Sequence, residues 1–184
     1  MFRNLFLVLV PDTDPAARVV HADELSHTTI VPVSSVDEAV AVLSSIGPVD
    51  LVELYGGLGI DAAAALAKAG SGAAIGFAGD VRPEVASAVL FEDPNADPAV
   101  HRWTFGGTTV VAIPSTSDAS AVAASLVEAG AKRIELCGGM GPVPAAAVRA
   151  AVDVPVTTVL FGFESIPAAA AYRAAFEQAV SVGE

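Results

Sequence analysis

A motif of eight residues occurs twice in this chain, and it constrains the fold more than any other feature of the sequence. Residues 52–59 read VELYGGLG and residues 134–141 read IELCGGMG, so the two glutamates are 82 residues apart (135 − 53). Two weaker matches keep the same order. The letters TTIV at 28–31 match TTVV at 108–111, and residues 11–16 share prolines, an aspartate and an alanine with residues 94–99. Self-similarity of this kind indicates a duplicated structural module.

The repeat predicts two tandem, pseudo-symmetric β/α modules at residues 1–86 and 87–184. We expect them to pack as one pseudo-dimeric unit about a pseudo-twofold axis, as identical subunits do in a symmetric dimer. The first module is the more degenerate of the two, because it keeps fewer of the polar residues described below.

Short apolar segments alternate with Ala-rich helical segments along the whole chain. They are rich in Val, Ile and Leu and are bounded by Gly, Pro, Asp or Ser, as strands are. Strands alternating with helices predict an α/β fold with largely parallel sheets. The predicted strands are Leu5–Val10, Thr28–Val33, Leu51–Tyr55, Ala73–Ala78, Val89–Glu92, Thr108–Ile113, Arg133–Cys137 and Val156–Phe161.

Two open sandwiches that face each other are the favoured architecture, and a closed barrel of two half-barrels is the alternative. An eight-stranded parallel barrel with a full ring of helices typically takes about 250 residues. The chain has 184.

The composition limits the classes of partner. Hydrophobic residues make up 53% of the chain and charged residues 16%, which is typical of a soluble globular protein. The net charge of −12 predicts no binding to nucleic acid or to a membrane surface, since both are anionic. The single cysteine, Cys137, excludes an intrachain disulfide and favours a cytoplasmic location. A small-molecule ligand is the expected partner, and a homo-oligomer is compatible with the sequence.

Two glutamates are the first candidates for chemistry. Glu53 and Glu135 each lie near the carboxyl end of an apolar strand, where ligands bind in parallel α/β sheets. Burying a carboxylate costs several kcal/mol unless it is paired. Each is therefore either a general base or ligand acceptor, or a structural carboxylate that holds the glycine turn through backbone N–H groups.

The glycine turns that follow are candidate ligand-binding segments. Glycines let the backbone approach a ligand, and the helix that follows attracts anions at its amino end. The turns lack the P-loop lysine and the dinucleotide-binding spacing, so no cofactor is predicted. Tight turns without a ligand are the alternative. The candidate positions are Gly56, Gly57, Gly138, Gly139 and Gly141.

Cys137 takes the position in the second motif that Tyr55 takes in the first. A thiol near a helix amino terminus has a lowered pKa and can act as a nucleophile or an acid/base group. A small core residue is the alternative. We expect the thiol pKa to be lowered if Cys137 is catalytic.

Further polar candidates are concentrated in the second half. His101 and Arg102 follow an Asp-Pro pair, and Glu164 follows the last predicted strand. Their absence from the matching places of the first half suggests that the second half carries the site. His21 and His27 lie in a polar connection and are expected to be solvated, and three scattered histidines give no metal-binding spacing.

A family resemblance rests on three segments of the second half. DPAVHR at residues 97–102, ELCGGMGP at 135–142 and FGFES at 161–165 resemble an uncharacterised bacterial family whose members are often about one module long. The resemblance covers residues from about 90 to 175, and the first half departs from it because Tyr55 replaces the cysteine. The family implies no function. It implies candidate catalytic positions, namely His101, Glu135, Cys137 and Glu164.

Three functional hypotheses follow. A carboxylate, a thiol and a glycine turn at strand ends suit proton transfer, as in an isomerase or lyase acting on a small carbonyl or carboxylate compound. A non-catalytic ligand-binding or sensing module needs the same turns without a reactive thiol. A structural, oligomer-forming protein is the third hypothesis. The sequence does not identify a substrate.

Overall fold

A computed structural model describes residues 2–79 and 86–182. The chain has a mixed α/β fold with two mostly parallel sheets, as the sequence predicts. The elements of the first half are β1 (Phe2–Leu9), β2 (Val19–Ala22), β3 (Ser26–Val33), α1 (Val36–Ser45), β4 (Leu51–Tyr55), α2 (Ile60–Ala69) and β5 (Ala74–Phe77). Those of the second half are β6 (Ser87–Glu92), β7 (Arg102–Phe105), β8 (Thr108–Ile113), α3 (Ala119–Glu128), β9 (Ile134–Leu136), α4 (Pro142–Ala151), β10 (Val156–Thr158), β11 (Leu160–Phe161) and α5 (Ile166–Val182).

The two sheets have corresponding strand orders. The first sheet is β11-β5-β4-β1-β3-β2 and the second is β10-β9-β6-β8-β7. In each, β1 or β6 has parallel neighbours on both sides, and a short antiparallel strand, β2 or β7, lies at the corresponding edge. The first sheet has a second antiparallel edge strand, β11. Both sheets are open, which agrees with the architecture that the sequence favours over a closed barrel. Whether the two halves are tandem copies, with the boundary at residue 86, stays a prediction.

The first sheet lies between its helices and the second sheet. Alternate residues of β1 point to opposite faces, and Leu5 and Leu7 pack with Leu43 of α1 and Leu66 of α2. On the other face, Phe6 contacts Phe91 of the second sheet edge to face, with ring centroids 5.2 Å apart. Helices α3 and α4 pack on the second sheet. The result is a four-layer sandwich in which two sheets share one apolar interior.

The last predicted strand is divided between the two sheets. Val156–Thr158 pairs with β9, whereas Leu160–Phe161 runs antiparallel to β5 in the first sheet. The cause is Gly76 of β5. A Cβ on this residue would lie 2.6 Å from Val159 Cγ1 and 2.8 Å from Phe161 Cε1, so only glycine leaves room for the crossing. The segment 87–184 therefore supplies a strand to the sheet of the first half.

The short edge strands β2 and β7 were not predicted, because each has only four residues and lacks a continuous apolar run. Helix α5 lies on the same face of the first sheet as Phe6. Its Tyr172 and Phe176 contact the ring of Phe2, with centroids 5.0 Å and 5.7 Å away. Within the described ranges, no helix has both the length and the apolar character that a membrane crossing requires.

Candidate functional site

A cavity of about 490 Å³ lies where the two sheets and α5 meet. One wall is the inner face of the first sheet, a second is formed by the carboxyl ends of β6 and β9, and α5 covers the third side. The wall is mostly apolar, with a few polar groups, as in ligand-binding cavities generally. Its polar residues include Asn4, Asp23, Ser26, Thr28, Glu53, Glu92, Asp93 and Cys137.

Glu53 is the more deeply buried of two buried carboxylates in this cavity, the other being Asp93. Its side chain on β4 is 1% exposed. Gly138 N donates to Oε1 at 3.0 Å, and the Tyr55 hydroxyl donates to Oε2. Burial raises the pKa of Glu53 to about 7, although both hydrogen bonds act to lower it. Among the described residues no basic side chain pairs with it.

Glu135 occupies the matching position on β9 but a different environment. It is completely buried and does not line the cavity. Arg133 Nη2 and Nε donate to its Oε1 at 2.8 Å and 3.1 Å. Burial raises the pKa of Glu135, and the charge and hydrogen bonds of Arg133 oppose that rise. Glu135 is thus one half of a buried ion pair.

Each glutamate is bound by the glycine turn of the opposite half. Gly56 N donates to Glu135 Oε2 at 3.1 Å, just as Gly138 N donates to Glu53. Gly56 has a φ of +74°, and a Cβ there would lie 2.5 Å from the carbonyl oxygen of Leu9. The glutamates therefore hold glycine turns, as the structural alternative proposed, but across the interface between halves. The prediction that Glu135 is buried and accepts a backbone N–H is confirmed.

Cys137 lines the cavity, but its ionisation is opposite to the expectation for a catalytic thiol. Burial raises the pKa of Cys137 to about 12, and the charge of Glu53 adds to the rise. Arg102, a cation that would lower the thiol pKa if it were close, is exposed on β7 and does not line the cavity. Burial and the charge of Glu53 thus both act against the lowered thiol pKa that a catalytic Cys137 would have.

The structure brings together Glu53, Cys137, Gly138 and Gly139 from the predicted site residues. The others do not line the cavity. His101 is half-buried, with Nδ1 accepting from Asp97 N at 2.8 Å, and Glu164 is exposed. Gly141 begins α4, with a φ of +73°. The remaining predicted positions outside the cavity are Arg102, Glu135, Gly56 and Gly57. Catalytic and binding roles for all these residues stay predictions.

Three residues near the cavity were missed. Asn4 is 8% exposed, and its Nδ2 donates to Thr28 Oγ1 at 3.1 Å, whereas its Oδ1 has no partner among the described residues. An asparagine inside an apolar strand was the available signal. Tyr172 of α5 also lines the cavity, and burial raises its pKa to about 12.

His21 is the third. It was expected to be solvated, but it is buried, with Nε2 2.9 Å from Oδ2 of the cavity residue Asp93. The expectation was wrong because β2 had not been predicted.

Both halves supply the cavity wall, and the second half, in which the sequence placed the site, supplies the larger share. Asn4, Phe6, Thr28 and Glu53 come from the first half. In the part of the chain that the structure describes, no three His, Cys, Asp or Glu side chains are grouped as metal ligands would be.

Comparison with known proteins gives one match. No curated protein and no solved structure matches the chain. Residues 85–174 match a family of unknown function, DUF6506. The match coincides with the segment that carries the resemblance noted in the sequence, and the first half lies outside it. Just under half of this chain is thus similar to an uncharacterised domain.

Proposed function

We propose that this protein binds a small molecule in the cavity and that Glu53 exchanges a proton with it, in isomerase or lyase chemistry. The observation that carries the proposal is a buried carboxylate in a cavity wall with a pKa near neutrality. An acid/base catalyst works best when its pKa lies near the operating pH, because both protonation states are then available.

The contacts of Glu53 suit such a role. Gly138 N and the Tyr55 hydroxyl fix its two oxygens. In its ionised form Glu53 accepts a proton from a carbon next to a carbonyl group, and in its protonated form it returns the proton to a neighbouring atom. Of the two substrate classes expected from the sequence, the acidic wall favours a carbonyl compound over a carboxylate, since Asp23 and Asp93 also line the cavity.

We also propose that the two halves are tandem copies of one module. Matching strand orders and the exchanged Glu–Gly hydrogen bonds support two tandem copies. Under this proposal one copy has kept a titratable carboxylate in a cavity, and the other has converted it into an ion pair. A cytoplasmic location and assembly into a homo-oligomer remain part of the proposal as predictions from the sequence.

Solvent exchange tests the catalytic part. Simple ketones and keto acids are incubated with the protein in D₂O, and ¹H NMR follows the signals of carbons next to the carbonyl. We expect accelerated loss of these signals for at least one compound, abolished by Glu53→Gln and unaffected by the exposed control Glu164→Gln. Exchange that persists in Glu53→Gln would remove Glu53 from the chemistry.

A non-catalytic ligand-binding or sensing module is the second candidate. The raised pKa of Cys137 favours it, because the thiol is not ionised near neutral pH and supplies no nucleophile. The same NMR samples separate the candidates. Binding without solvent exchange supports the module, whereas binding with exchange that depends on Glu53 supports the enzyme.

A further inference from the structure

The charges of the cavity wall are mainly negative. Asp23, Glu92 and Asp93 lie on it together with Glu53. The pKa of Asp23 is lowered by hydrogen bonds, including one at 2.6 Å from Asn95 Nδ2, although burial opposes this. Arg173 is the one basic residue among the described residues of the wall, and its Nε lies 2.7 Å from Glu177 Oε1. An anionic ligand would be repelled here, and a cationic one attracted.

An unused hydrogen-bond acceptor points to the ligand independently of this charge. Asn4 is more than nine-tenths buried, and its Oδ1 has no partner among the described residues. Buried polar atoms are nearly always satisfied by protein, water or ligand. Asn4 and Glu53 lie on paired strands and both line the cavity, so a ligand that donates hydrogen bonds satisfies both.

Aromatic rings form much of the apolar part of the wall. Phe6, Phe91 and Phe161 line the cavity from the strands and from the end of β11, and Tyr172 and Phe176 line it from α5. The faces of such rings attract organic cations and also cover apolar groups. An inorganic cation fits less well, because most of the wall offers no oxygen ligands.

We propose that the ligand of this cavity carries a protonated amine, with N–H groups donated to Glu53 and to Oδ1 of Asn4 and an apolar body against the phenylalanine rings. This inference rests on the proposed function and adds an ammonium group to its carbonyl substrate; the bound cation holds Glu53 in the ionised form, which is the form that accepts a proton. The amine enters charged, and Glu53, when protonated, releases its proton to the solvent as the complex forms. No covalent bond changes in this step.

The test uses three probes of one shape and different charge: 2-phenylethylammonium, 2-phenylethanol and phenylacetate. Their dissociation constants for the full chain are measured at pH 7 by NMR titration. We expect the ammonium probe to bind at least tenfold more tightly than the alcohol and phenylacetate not to bind. Glu53→Gln should weaken the ammonium probe about tenfold and leave the alcohol unchanged, which is the size of one charge-assisted hydrogen bond.

Two tryptophan variants establish where the probes bind. Ala169 of α5 lines the cavity, whereas Ala174 of the same helix is exposed and does not. Ala169→Trp should abolish binding and Ala174→Trp should retain it, with unfolding curves confirming that both variants fold.

The outcomes separate the two proposals. If the alcohol or phenylacetate binds as tightly as the ammonium probe and Ala169→Trp abolishes that binding, the ammonium inference is overturned and the proposed function stands. If no probe binds, or if Ala169→Trp leaves the binding unchanged, the ammonium inference is overturned, and the solvent-exchange experiment decides the proposed function separately.

Discussion

Glu53 and Glu135 hold the same position in two occurrences of one motif, and one difference between their surroundings is the side chain two residues earlier. Arg133 precedes Glu135 and pairs with it at 2.8 Å, whereas Leu51 precedes Glu53 and is apolar. Both carboxylates keep a glycine N–H from the opposite half. The comparison teaches that the shared hydrogen bond serves the fold, and that the arginine decides whether the carboxylate stays paired or titrates in a cavity.

Tyr55 and Cys137 extend the comparison. Tyr55 donates its hydroxyl to Glu53 of its own half. The thiol of Cys137 lies on the cavity wall, where the charge of Glu53 acts on it. Tyr55 is thus a hydrogen-bond partner of Glu53, and Cys137 is a neighbour whose pKa the charge of Glu53 raises.

Arg133→Leu has the largest expected effect. It removes a difference between the two glutamates, because the first half has a leucine, Leu51, at the matching position. It leaves Glu135 buried without its cation, which typically costs roughly 3–5 kcal/mol. Urea unfolding measures the loss. The double variant Arg133→Leu/Glu135→Leu should recover part of it, because no uncompensated charge remains. A neutral Arg133→Leu would mean that the ion pair does not distinguish the halves.

Labelling of Cys137 has the second largest expected effect. A rise in the pKa from 9.0 to about 12 reduces the thiolate fraction at neutral pH about a thousandfold, equivalent to about 4 kcal/mol. We therefore expect iodoacetamide to react with the folded protein far more slowly than with a free thiol between about pH 6 and pH 9. The urea-unfolded chain is the control and should react at the ordinary rate. Fast labelling of the folded protein would contradict the raised pKa and would show that the Cys137 thiol can act as a nucleophile.

The pH dependence of stability tests Glu53. Its pKa is raised in the folded state, so the native protein holds a proton that the unfolded chain releases above its usual pKa of 4.5. The contribution of Glu53 to the free energy of unfolding should thus be greatest below pH 4.5 and fall as the pH rises to about 7. The expected loss is roughly 3 kcal/mol.

The difference between wild type and Glu53→Gln isolates this contribution, because the other carboxylates are common to both. Urea unfolding from pH 4.5 to pH 8 provides the measurement. Parallel curves for the two proteins would show that Glu53 titrates normally.

Leu51→Arg gives the smallest expected effect and sharpens the comparison from the other side. It places in the first half the residue that pairs with Glu135 in the second. A guanidinium beside Glu53 should lower its pKa by at least about one pH unit, or about 1.4 kcal/mol. ¹³C NMR titration of the glutamate carboxyl carbons measures this. Leu51→Met is the uncharged control, and an unchanged Glu53 pKa in Leu51→Arg would show that the two positions are not equivalent.

The sequence predicted features that depend on local pattern. The apolar segments Leu51–Tyr55 and Thr108–Ile113 are strands with those bounds. Strand and helix periodicity reside in neighbouring residues, so they can be recognised without knowing what packs on them. The alternation of the two also predicted the parallel sheets.

Features that depend on distant pairing escaped prediction. The pattern placed Glu53 near its own glycine turn, but its N–H partner is Gly138, 85 residues away. The pairing of Leu160–Phe161 with β5 depends on Gly76, whose missing side chain has no local signature. For the same reason the cavity was not predicted, because its wall combines two sheets and α5.

The crossing of β11 has a consequence for the order of events during synthesis. The first half leaves the ribosome with β5 as an unpaired sheet edge, and Leu160–Phe161, which covers that edge, is made many residues later. At about 5–20 residues per second the edge stays open for several seconds. An unpaired parallel edge can recruit other chains. The nascent first half is therefore the stage at which this protein is most exposed to aggregation.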